Sequence, residues 1–204
     1  MKKFESINTF ENSSDKSTPP HLRLREEDEE STVMIDNISF YVFGQSDGYA
    51  LLLSKKIDCT MIFGESCYWD ESDVRKYLNK DGPRGYLYDK PLLKRIISER
   101  EIYTRQFRGR NSDFVITKDK VFLLSEADVF GTTFEKLTAR REDFSINENF
   151  ILSKKARINN DYYWLRSCTQ ENPCKLAIVT TQGVLSKSLP VFGFGVRPAC
   201  WVRL

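Results

Sequence analysis

The stretch from Asp161 to Cys174, DYYWLRSCTQENPC, gathers the side chains best equipped for chemistry. Arg166 ends an aromatic run, and Cys168 and Cys174 follow it six positions apart. Near the C-terminus, GVRPACWVRL places Arg197 close to Trp201, as Arg166 stands close to Trp164. Two guanidinium groups can clamp a carboxylate or phosphate through paired donors. The competing reading is that each ties strand ends and loop carbonyls together at the edge of a core. The two thiols have readings of their own: a disulfide or reversible clip, since the intervening loop can bring its ends together, or two unlinked side chains beside a loop.

Other residue types narrow the chemistry by exclusion. His21 is the only histidine, and it sits in a polar leader. Nucleophile systems that rely on an imidazole in the folded body therefore have no base, and histidine-based zinc and iron sites have no ligand. The five cysteines are Cys59, Cys67, Cys168, Cys174 and Cys200, with no CxxC pair. Their odd number, without a signal peptide, predicts reduced thiols. RQFRGRNSD, with Arg105, Arg108 and Arg110, reads as a solvated basic turn. Asp70, Glu71 and Asp73 read as the acidic start of a helix rather than an acid/base pair. Gly193-Phe194-Gly195 lacks the strand-then-helix context of a phosphate loop.

Positioning these residues falls to a chain of 204 residues, enough for one substantial core. Its formal charge is +2, too balanced to argue for nucleic acid. Residues 1–31 carry five basic against eight acidic side chains and include NSSDKSTPP and REEDEES. They read as an acidic, polar, flexible arm, with a folded domain over 32–204. MKKFESINTF has a basic start without an apolar run behind it, and no stretch is long and apolar enough to span a bilayer. The expectation is a soluble protein, either cytoplasmic, phage-associated, or exported without a signal peptide.

Within the body, ISFYVFG and YALLLS predict two strands around a turn at Gln45–Gly48. WDESDVRKYLNK predicts a helix capped by Asp70 or Ser72, with Val74, Tyr77 and Leu78 on one face. Pro91 opens a second predicted helix, PLLKRIISERE, whose buried stripe is Leu92, Leu93, Ile96 and Ile97. KVFLLS reads as a strand and EADVF as a short helical turn. YYWLRS is a further strand, and KLAIVTT pairs with VLSKSL across Gln182-Gly183. Strands and helices do not alternate as βαβ units, so the expected class is α+β with a mainly antiparallel sheet and two principal helices.

YALLLSKKIDC, SDVRKYLN, KVFLLS, YYWLRS and GVRPACWVRL occur in an order that resembles a group of bacterial and phage domains of unknown function. That group carries a Trp-Leu-Arg-Ser strand and a Gly-Val-Arg-Pro-Ala close. It in turn resembles the C-type-lectin-like fold of formylglycine-generating enzymes and of retroelement variable proteins. The resemblance covers roughly residues 36–204 and implies a twisted antiparallel scaffold whose loops bind. Glu-Pro-Asn and Gln-Pro-Asp tripeptides of the lectin type are absent, so neither sugar nor calcium is implied. Formylglycine-generating enzymes hold Cu(I) on two thiolates after an Arg-Gly-Gly-Ser strand; here that strand is missing and the cysteine spacing differs.

The resulting expectation is a non-enzymatic recognition module, without cofactor or metal, that binds a protein or small ligand. Trp164, Arg166, Arg197 and Trp201 are its candidate ligand-binding residues. Self-association into a homo-oligomer is also open, whereas nucleic acid and membrane are not expected as partners. Two alternatives stand beside it: a thiol- or Cu(I)-dependent oxidoreductase at Cys168/Cys174, and a structural subunit of a phage or secretion assembly that docks through residues 1–31.

Overall fold

A computed structural model describes residues 31–46, 48–108, 111–131, 152–169 and 174–204. The expected acidic arm lies almost wholly outside these residues, as do Asp47 of the predicted hairpin turn and Arg110 of the basic turn. In chain order the strands begin with β1 (Thr32–Ile35), β2 (Ile38–Ser46), β3 (Tyr49–Ser54) and β4 (Cys59–Ile62). Helices α1 (Asp73–Asn79) and α2 (Pro91–Ile96) follow, then β5 (Ile97–Ser98), β6 (Arg100–Arg108), β7 (Asn111–Asp119) and β8 (Val121–Phe122). After α3 (Glu126–Phe130) and α4 (Lys154–Arg157) come β9 (Tyr163–Cys168), β10 (Leu176–Val179), β11 (Leu185–Ser188), β12 (Gly193–Val196) and β13 (Ala199–Arg203).

These elements make an α+β structure of mostly antiparallel sheets with few, short helices. One sheet runs β1-β2-β3-β13-β5, with β8 also pairing β13; a second runs β11-β10-β9-β12-β4; β6 and β7 form a long hairpin. The one parallel pairing among the described strands is β12 against β9, at Gly195 and Tyr163. The β1/β2 turn places Asp36 and Asn37 at φ of 48° and 62°, the left-handed pair that a tight hairpin of natural twist requires. Leu51, Leu52, Leu53, Phe63, Trp69, Phe122, Trp164 and Val196 are among the fully buried side chains of one continuous core.

α1 begins as its sequence dictates. Ser72 accepts a hydrogen bond from the Arg75 amide, and Val74 and Leu78 are buried. The second helix is shorter than its apolar pattern predicts. It stops at Ile96 because Ile97 turns extended and pairs with Val202 of β13. Of the expected stripe, Leu93 and Ile96 are buried, Ile97 is half-buried, and Leu92 is exposed. KVFLLS supplies only the two-residue β8, and the supposed basic turn is largely strand, with Arg105 inside β6.

Two residues of the Arg-x-x-Leu-Asn segment fasten α1 to the sheets. Arg75 Nε donates to Asp119 Oδ1 at 2.7 Å, and the buried Asp119 also accepts from Trp69 Nε1 and Thr117 Oγ1. Asn79 Oδ1 accepts from the Lys120 and Val121 amides while its Nδ2 donates to the Val121 carbonyl at 2.8 Å. This side-chain amide acts as a substitute strand for the start of β8. Asn79→Ala is expected to lower stability by about 1–3 kcal/mol, the cost of freeing half-buried backbone partners. Urea unfolding measures it; a midpoint equal to that of the parent chain would mean that water replaces the amide without loss.

Candidate functional site

The four candidate ligand-binding residues are all buried. Arg166 is fully enclosed, and its Nη1 donates to the Leu123 carbonyl and to Asp128 Oδ2, each at 2.6 Å. Its Nη2 reaches the Tyr103 carbonyl at 3.4 Å, so the guanidinium joins β9, the approach to α3 and β6. Arg197 donates from Nε to the Ser54 carbonyl at 2.8 Å, and from Nη1 to the Ala156 carbonyl and the Tyr163 hydroxyl. Trp164 donates to the Met61 carbonyl at 3.0 Å and packs edge-on against Phe194. Trp201 lies in β13 between Leu51 and Ser98. The geometry is that of two braces within the core and two core aromatics, and the two guanidinium groups serve different junctions.

Cys168 and Cys174 lie in a different setting. Cys168 closes β9 opposite Leu176, and the Thr169 amide donates to the Lys175 carbonyl at 2.6 Å. Cys174 is disulfide-bonded to Cys67, 107 positions away, with the two Cα atoms 6.0 Å apart. The expectation of five reduced thiols is corrected here, and so is the clip considered between Cys168 and Cys174. Cys174 is bonded to Cys67 and Cys168 keeps its thiol. The sulfurs of Cys67, Cys168 and Cys174 nevertheless all lie within 4.8 Å of one another.

Local contacts explain how Cys67 arrives there. It sits between β4 and the helical turn at Trp69–Glu71, where Ser66 Oγ donates to Glu71. Tyr68 fixes this loop to β6 by donating its hydroxyl to the Phe107 carbonyl at 3.0 Å. From the same side, Cys168 Sγ approaches the Arg105 carbonyl at 3.9 Å.

Next to this cluster is a shallow cleft lined by Tyr103 and Arg105 of β6, Ser125 to Ala127 at the start of α3, and Ser167 and Cys168 of β9. Ser125 and Asp128 form a capping box, each side chain accepting the other's amide. The Glu126 amide donates to Ser167 Oγ at 2.9 Å, locking α3 to the end of β9. The cleft's enclosed space is only about 10 Å³, roughly that of a single water molecule, so it is a surface depression and not a cavity that encloses a ligand. Sequence reasoning found Cys168 and its neighbours but missed Cys67, Tyr103, Ser125 and Glu126, which carry no local motif. Cys67 could have been noticed only as one more cysteine beside an aromatic pair.

The two remaining thiols stand apart from the site. Burial pushes Cys200 up to about 12. Burial, aided by the Asp58 carboxylate, raises Cys59 to about 11. A thiol ordinarily ionises near 9, so its unfolded form gains a proton-loss route that the folded form lacks. The stability these groups contribute is complete below pH 9 and drains away as pH rises toward 11–12. Cys200→Ala is therefore expected to lose less stability than the parent chain between pH 8 and 10.5, each compared with its own value at pH 8. Parallel losses in urea unfolding would contradict this.

A protein-family profile described as "Domain of unknown function (DUF6273)" matches residues 47–204. No curated protein and no solved structure matches the chain. No helix among the described residues is long and apolar enough to cross a membrane.

Proposed function

We propose, for a chain that belongs to the DUF6273 family of domains of unknown function, a non-enzymatic recognition module that contacts a polar end group of a peptide or small ligand at the mouth of the cleft between β6, α3 and β9. The observation that carries this reading is the convergence of three distant segments on one opening, with Arg105, Glu126, Ser125 and Ser167 around it. A guanidinium and a carboxylate at one small opening complement a group that bears both charges or both donors and acceptors. The order of strand and helix motifs, with its resemblance to C-type-lectin-like domains, supports the same reading. In it Arg166 and Arg197 build the scaffold, and Tyr103, Arg105 and Ser167 face the ligand.

Short peptides with free termini, and the same peptides with both ends blocked, are the direct probes. In amide-resolved NMR titrations the free peptides are expected to shift Tyr103, Ser167 and Cys168, and blocking the ends should weaken the effect at least tenfold. Arg105→Ala should do the same without changing the fold. Shifts elsewhere only, or none up to millimolar peptide, would overturn the assignment.

A further inference from the structure

We infer that the reduced protein binds one soft d10 metal ion on Cys67, Cys168 and Cys174, and that the Cys67–Cys174 disulfide is the oxidised, closed form of that site. The three sulfurs come from three separate places: the loop after β4, the end of β9, and the approach to β10. Convergence of three cysteines within 4.8 Å exceeds what a single disulfide requires, because Cys168 adds nothing to that bond. It is what a shared ion requires. Metal–thiolate bonds of about 2.3 Å place three ligand sulfurs about 4 Å apart around one centre. Cys168 is already within that range of motion, and opening the disulfide lets the other two separate to it. A Cα separation of 6.0 Å between Cys67 and Cys174 leaves both side chains able to turn toward a common point.

The donor set defines the class of ion. Three thiolates without an imidazole favour Cu(I) or Zn(II) over hard cations such as calcium or magnesium. Cys168 also lines the cleft with Glu126, Ser167 and Arg105, and the cleft's space of about 10 Å³ would admit a single water as a fourth ligand. Burial of Cys67 and Cys168 would keep competing water from the other positions.

The conversion balances without a hidden reagent. A dithiol reductant supplies two electrons and two protons, the Cys67–Cys174 bond breaks to two thiols, and the reductant becomes a disulfide. Binding of the ion then displaces the thiol protons to solvent. Oxidation removes two of the three ligands at once, so the metal and the disulfide exclude each other.

The test uses the full chain. Protein reduced with a phosphine and freed of reductant is titrated anaerobically with Zn(II), and separately with Cu(I), each against a chromophoric chelator. One equivalent of at least one ion should bind, with a thiolate-to-metal absorption band when Cd(II) is the probe. The oxidised protein should bind at least about 100-fold more weakly, as should reduced Cys168→Ser. Cys168→Ser retains the disulfide, so its unfolding midpoint in the oxidised state reports separately on folding; Cys59→Ser and Cys200→Ser should bind like the parent. The arm that succeeds distinguishes zinc from copper. Binding of neither ion, binding unaltered in Cys168→Ser, or equal binding by the oxidised chain would each overturn the inference. The peptide titration does not depend on any of these results.

Discussion

Arg166→Met lowers the stability of the fold by about 3–5 kcal/mol, the range found when one member of a buried ion pair is removed. The reason is the partner left behind. Arg166 and Asp128 are both 0% exposed, and their contact is 2.6 Å. The same Asp128 oxygen accepts the Ser125 amide at 2.7 Å, so the carboxylate serves at once as ion-pair partner and as part of the α3 capping box. Without the guanidinium it faces the core with that backbone donor alone, and the Leu123 carbonyl loses its 2.6 Å donor as well. Arg166→Met combined with Asp128→Asn should recover part of the loss, because the stranded charge is gone. The two effects are then far from additive, as expected of residues in direct contact. Urea unfolding of the two single variants and the double variant measures the coupling. A loss below about 1 kcal/mol in Arg166→Met would show that the pair is not a brace, and would return Arg166 to the list of ligand contacts.

The brace was legible in kind but not in its partners. Arg166 could be assigned to a strand end, yet nothing near it named Asp128, 38 residues earlier. Local features came through well for the same reason that long-range ones did not. Ser72 caps α1 from one residue away, and the EADVF helix ends on Gly131 in the left-handed region. β10 and β11 pair across Gly183 at φ 73°. Each of these is fixed by neighbours within a few positions.

The β6/β7 hairpin shows why alternation can mislead. Its inward positions include Ile102, Thr104, Gln106, Thr117 and Asp119, all buried, while Ile116 is 53% exposed. A strand whose buried face is largely polar has the hydrophobic pattern partly inverted, so the segment reads as a solvated turn. The inversion has a physical basis in Asp119, which collects Trp69, Arg75 and Thr117. Such a network can sit inside because its members satisfy one another. α2 failed differently, since periodicity alone cannot know that Ile97 is claimed by β13.

The cysteine cluster is where sequence parity misled most, and its disulfide carries the second large expected effect. Cys67→Ser and Cys174→Ser should each destabilise the oxidised protein by about 2–5 kcal/mol, as a link closing a long loop constrains the unfolded chain. The separation of 107 residues places the expected loss toward the upper end. The double variant should lose no more than either single one, because both remove the same bond. Under reducing conditions with a metal chelator present, the parent should fall to within about 1 kcal/mol of the variants, leaving only the contribution of local packing. Adding Zn(II) or Cu(I) to the reduced parent then separates two roles for one set of sulfurs. A metal site restores stability by mass action in the parent but not in either variant, whereas a purely structural disulfide restores nothing until it is reoxidised. On the proposed metal site, the same sulfurs would link the segments of Cys67, Cys168 and Cys174 in the reduced protein as the disulfide links Cys67 and Cys174 in the oxidised one.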